Sequence, residues 1–245
     1  MTDKGTSKVI AFWLQISSLT ALILIPLIVL RTMIDPPGLS SNTQLVGLVF
    51  IIICLLGAIV GVRPSSFSRS NRKKTKQTEP NASQESETLK QRPTLQGHHH
   101  SCDHFSDHVL KIRNKVFCAG CTGLTTGAVI SIYGGILYFF FAISLINALL
   151  VFWIGFAGVF IGIVQHKLYR ALSVRSGFIR YILNVVFVLG AFFLLIGTNQ
   201  LVGNFAVDIY VLCVILLWIV NRIMMSSSEH EKICVQCGIE SCRHL

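Results

Sequence analysis

Apolar residues run along this chain in blocks long enough to bury a helix from water on every side. Val9 to Leu30 is nearly continuous, broken by Gln15, Ser17, Ser18 and Pro26. It is too long for a signal-peptide core and no small-residue cleavage site follows it, so a retained first span is predicted. Asp35-Pro36-Pro37-Gly38 turns the chain, and Gln44 to Val62 supplies a second span, since about 20 residues cross the hydrocarbon. Thr122 to Val164 would be roughly 65 Å long as one helix, about twice the ~30 Å hydrocarbon core. It must therefore fold back, and Ser144 to Asn147 is the place for the turn. Gln165 to Gly177 is a polar loop, after which Phe178 to Thr198 and Val202 to Met225 form another hairpin around Thr198-Asn-Gln200. The pattern predicts an all-α fold, a six-transmembrane-helix bundle with a small cytoplasmic Cys/His metal-binding loop.

Between these blocks lies different material. The chain divides into an N-terminal transmembrane hairpin (9–62), a disordered basic linker (63–96), a Cys/His loop (97–121), a four-helix transmembrane domain (122–225) and a Cys-rich tail (226–245). The linker has almost no large apolar side chain between Phe67 and Leu89, too few to offset the entropy of ordering it. Eight Lys/Arg against three Glu make it basic, most densely at Arg69-Ser-Asn-Arg-Lys-Lys-Thr-Lys76. Such charges suit anionic lipid head groups, at about 1 kcal/mol per basic residue, although retention on the cytoplasmic side explains them more simply. On that side the acceptor-like Asn81-Ala-Ser83 would carry no glycan.

Composition agrees with the blocks: 52% of the 245 residues are hydrophobic and 13% charged, where a soluble domain carries about 25% charge. The formal charge of +10 then reads as membrane topology, with the bilayer as partner and no nucleic acid expected. Six spans put both termini on one face, and with that face cytoplasmic 20 of the 21 Lys/Arg fall inside, leaving Arg31 outside. Gly57-x3-Gly61, Gly123-x3-Gly127 and Gly158-x3-Gly162 have the spacing that lets helices approach closely. They predict a compact bundle and are compatible with a homo-oligomer.

The stretch from Gly97 to Gly127 gathers five of eight histidines and three of eight cysteines. Thiolate and imidazole are the ligands of borderline-soft divalent metals, and Cys-x-x-Cys suits adjacent corners of a tetrahedron. A reducing cytosol favours metal or redox roles for such cysteines over structural disulfides. Zinc is the expected ion, with Cys102, Cys118 and Cys121 as ligands and one of His99, His104 or His108 completing the set. The tail offers a second set, Cys234, Cys237, Cys242 and His244, and the two Cys-x-x-Cys pairs could also share one ion. His166, at the inner end of the fourth span, is within conceivable reach, while Cys54 and Cys213 read as inert packing residues. Within the spans Asp208 is the one acid, read as an exposed helix end, and Asn147 and Asn184 are the other strongly polar residues.

His98-His99-x-x-Cys102-x-x-Phe105-x-x-His108, followed by Phe117-Cys118-Ala-Gly-Cys121-Thr-Gly123-Leu, resembles a motif of an uncharacterised family of small prokaryotic multi-pass membrane proteins. The resemblance covers roughly Gly97 to Leu137 and implies the layout, with no activity attached. A site that is structural, sensing or scaffolding is the leading expectation. A membrane thiol-disulfide oxidoreductase using Cys118 and Cys121 is the first alternative, a divalent metal transporter the second. No His-Glu-x-x-His is present, which leaves a zinc hydrolase weakly supported.

Overall fold

The computed structural model describes residues 4–34, 42–62, 95–96, 99–100, 108–112, 115–141, 147–171 and 176–236. Six helices carry the fold: α1 (Lys4–Ile34), α2 (Thr43–Val62), α3 (Ala119–Phe139), α4 (Ala148–Ala171), α5 (Gly177–Val202) and α6 (Phe205–Gln236). Five of them, all but α2, are long and apolar enough to cross a membrane, and α2 is apolar over 43–59. Large apolar side chains such as Phe12, Trp13, Leu56, Val129, Leu150 and Phe178 lie exposed on the bundle surface. A surface of this kind suits contact with lipid and not with water.

α5 is the centre of the bundle, flanked by α3 and α4. Glycine makes the close approach to α4 possible. A Cβ at Gly158 would lie 3.0 Å from Gly190 Cα, and one at Gly155 or Gly162 would collide with Leu194 or Phe187. On α3, a Cβ at Gly123 would meet the Tyr181 carbonyl at 2.5 Å and one at Gly127 the Val188 side chain at 2.8 Å. Two of the three small-residue repeats thus pack within the chain against α5, while Gly57 has open space beside it. α1 docks on α6 through polar groups: Trp218 Nε1 donates to the Ser18 carbonyl at 3.2 Å and Asn221 Nδ2 to Ser18 Oγ at 3.0 Å.

The contacts fix the directions. α3 and α5 run parallel, Gly123 lying by Tyr181 and Gly134 by Phe192. α4 and α6 run antiparallel to α5, and α1 antiparallel to α6. The starts of α1, α3 and α5 and the ends of α4 and α6 therefore share one end of the bundle, with Lys4, Lys8, Arg180 and Lys232 in the outer turns of those helices. Arg31 lies in the last turn of α1, at the opposite end.

Four expectations change. The polar loop expected over Gln165 to Gly177 is helix at its start, since α4 continues to Ala171. The last hairpin turns at Gly203–Asn204 and not at Thr198-Asn-Gln200, which lie inside α5. Gly203 caps α5 with φ 61°, a left-handed conformation that costs a β-branched residue most, and Asn204 Oδ1 accepts from the Ala206 N–H at 2.8 Å. Gly203→Val should cost about 1–2 kcal/mol, read as an earlier unfolding midpoint in mixed micelles. Next, α6 continues to Gln236, so Cys234 belongs to a helix and not to a loose tail. Finally, the loop contributes strand as well: β1 (Leu95–Gln96) pairs with β2 (His99–His100) and β3 (Val109–Ile112) with β4 (Lys115–Cys118), both antiparallel. Most of the linker, together with Cys102, His104, Cys237, Cys242 and His244, lies outside the described residues.

Candidate functional site

The β3–β4 hairpin leads straight into α3, and that continuity sets the Cys-x-x-Cys pair. Cys118 ends β4 and is the N-cap of α3; Cys121 falls in the first turn. Thr122 Oγ1 donates back to the Cys118 carbonyl at 2.8 Å, tightening that turn. Both cysteines are half-buried and reduced, and the Cys121 and Cys118 thiols hydrogen-bond to each other.

One histidine stands at the start of the same hairpin. Val109 pairs with Cys118, so buried His108 precedes the partner of the first cysteine by one residue. The hairpin is pressed onto α5, because a Cβ at Gly177 would collide with the Val109 carbonyl. Among the described residues, no three His, Cys, Asp or Glu side chains gather as a metal-ligand set. His99 lies on β2 and His166 on α4.

Asn184 connects the cysteines to the bundle. A Cβ at Gly120 would lie 3.9 Å from Asn184 Nδ2 and 4.0 Å from Cys118 Sγ. Asn184 is fully buried; its Nδ2 donates to the Arg180 carbonyl at 2.6 Å. Its Oδ1 accepts from Arg222 Nε at 3.0 Å and Nη2 at 2.9 Å. Arg222 thus enters the site from α6, with Cys118, Glu229, Tyr169 and Arg180 all in its electrostatic surroundings. Arg180 Nη1 pairs with Glu229 Oε2 at 3.4 Å, and its guanidinium lies over the Tyr169 ring, 4.5 Å from the centroid. Burial pushes the Tyr169 phenol up to about 12 despite the two arginines beside it, so at neutral pH it is an uncharged donor.

A second polar layer lies one span away. Tyr138 Oη donates to Asn199 Oδ1 at 2.9 Å, and Asn199 Nδ2 donates to Asp208 Oδ2 at 2.7 Å. Asp208 is fully buried, which corrects its reading as an exposed helix end. It turns inward because α5 extends far enough to present Asn199. Asn147 by contrast caps α4, its Oδ1 accepting from the Leu150 N–H at 3.0 Å. Cys54 is buried, as expected of a packing residue, while Cys213 is exposed on the lipid-suited surface.

Cys118, Cys121 and Asn184 are visible in the sequence as motif or polar exception. Arg222, Arg180, Tyr169 and Gln165 are not; they read as charges or polar residues at span edges. Their signal is spacing: Gln165/Tyr169 and Arg180/Asn184 are each four apart, hence on one face of a helix. Comparison with known protein families, with characterised proteins and with solved structures found no match.

Proposed function

We propose that the chain is a multi-pass membrane protein holding a zinc-type thiolate site at its cytoplasmic face, where the ion organises or senses and does not turn over substrate. The observation that carries this reading is the meeting of the Cys118 and Cys121 thiols at the start of α3. Two sulfurs in the first turn of a helix supply adjacent corners of a tetrahedral site. Cys102, with His99 or His104 as alternatives to His108, would complete it from the segment leading into β3. Bound zinc would supply charge neutralisation and cross-linking, on the order of 10 kcal/mol toward ordering the loop. The cytoplasmic assignment rests on the Lys/Arg collected at the end of the bundle that bears the cysteines. Cys234, in the last turn of α6, lies at the same end, and with Cys237, Cys242 and His244 it would form a second candidate set.

Elemental analysis of detergent-purified protein tests this. Wild type is expected to carry zinc at a stoichiometry of about one or more per chain, and Cys118→Ser/Cys121→Ser to lose one equivalent and unfold earlier. Unchanged metal in the double variant overturns the ligand assignment. The thiol–thiol hydrogen bond favours one other reading, dithiol–disulfide exchange, because the sulfurs already lie within reach of each other. Under that reading the single variant Cys121→Ser traps a mixed disulfide and wild type contains no metal.

A further inference from the structure

Two guanidiniums belong to the layer beside the Cys118–Cys121 pair, Arg222 from α6 and Arg180 from α5. Arg222 holds Asn184 Oδ1 through Nε at 3.0 Å and Nη2 at 2.9 Å. Asn184 in turn faces the cysteines: its Nδ2 and Cys118 Sγ border the same space, 3.9 Å and 4.0 Å from a Cβ placed on Gly120. Cys118 accordingly stands within the electrostatic reach of Arg222. A fork tied to a buried amide cannot swing away to water, so its charge is fixed at this place.

The charges here do not cancel. Among the described residues Glu229 is the carboxylate of the layer, pairing with Arg180 Nη1 at 3.4 Å and standing beside Arg222 as well. Tyr169, whose phenol stays protonated, adds no charge. Two guanidiniums against one carboxylate leave one net positive charge in partly buried surroundings, where an opposite charge nearby is favoured. Zinc bound by two thiolates and two imidazoles is neutral and offers none. With three thiolates and one imidazole it carries one negative charge, which matches.

We infer that the metal complex at Cys118 and Cys121 is anionic, a three-thiolate zinc site balanced from α6 by Arg222. Resting on the zinc site proposed above, this narrows its ligands: a third cysteine, Cys102 of the same loop, joins the pair, and histidine fills a single corner. Arg222 touches no ligand position itself. It is a positioning residue that sets the charge the site prefers.

Chelator competition on the detergent-purified full chain reads the zinc affinity. Removing an outer partner of a metal site typically costs about 10–100-fold, so Arg222→Gln should weaken zinc by about tenfold or more. Glu229→Gln should tighten zinc although it breaks the ion pair to Arg180, and Arg222→Gln/Glu229→Gln should return close to wild type. A merely structural role would weaken binding in all three variants. In the cobalt-substituted protein, sulfur-to-cobalt charge-transfer absorption should fall by about a third in Cys102→Ser. Three variants weakened alike, three variants unchanged, or cobalt absorption unchanged in Cys102→Ser each overturn the inference and leave the Cys118/Cys121 site standing. A wild-type chain without zinc overturns both.

Discussion

Gly190→Ile is expected to force α4 away from α5 and to cost about 3 kcal/mol or more. A Cβ at Gly190 would stand 2.7 Å from Val159 N and 2.8 Å from Gly158 C, both backbone atoms that cannot rotate aside. Overpacking a tight interface usually costs about 1–3 kcal/mol, and more where neither chain can yield. Between lipid-facing helices close packing supplies much of the association, because lipid tails are as apolar as the side chains themselves. Unfolding in mixed micelles should register the loss as a large shift in midpoint. Gly57→Ile is the matched control, since nothing lies within 4 Å of a Cβ there. Equal midpoints for the two variants would refute the glycine-mediated contact between α4 and α5.

Asn199→Leu should destabilise the fold by about 3 kcal/mol through a different route. Asp208 Oδ2 loses the donor it meets at 2.7 Å, and Oδ1 already has none. Hydrogen bonds to charged groups contribute about 1.5–3 kcal/mol, and stranding the partner in a buried position adds to the loss. Tyr138 Oη loses its acceptor in the same step. The decisive comparison is Asn199→Leu/Asp208→Leu, in which the stranded carboxylate is gone. Most of the lost stability should return in that double variant. If the two changes simply add, Asn199 is not acting through Asp208.

Hydropathy locates the helices because hydrocarbon tolerates little else, and Thr122 to Val164 folds back as its length requires, α3 ending at Phe139 and α4 beginning at Ala148. The last turn is misplaced for an instructive reason. Thr198, Asn199 and Gln200 look like a loop when each residue is scored alone, yet Asn199 sits between Tyr138 and Asp208, so its polarity is answered inside the bundle. Pairing between distant helices has no signature in a window of residues. The β3–β4 hairpin is hidden likewise: Lys111 and Lys115 mark a charged loop, and only the ladder from Val109–Cys118 to Ile112–Lys115 makes it strand. Of the candidate site, the Cys-x-x-Cys pair at a helix start is readable from spacing. Arg222 is not, because an arginine near the end of a span resembles an interfacial anchor until Asn184 is found opposite it.

α6 has 32 residues and so measures about 48 Å, against ~30 Å of hydrocarbon. It is a rod longer than the slab it pierces. Near one tip it holds Asp208, further along it clasps Asn184 through Arg222, and at the far tip it carries Cys234. A tilt imposed at the Asp208 end of this unbroken helix would carry the Cys234 turn with it, with no hinge required. Asp208, Arg222 and Cys234 are carried on one continuous element.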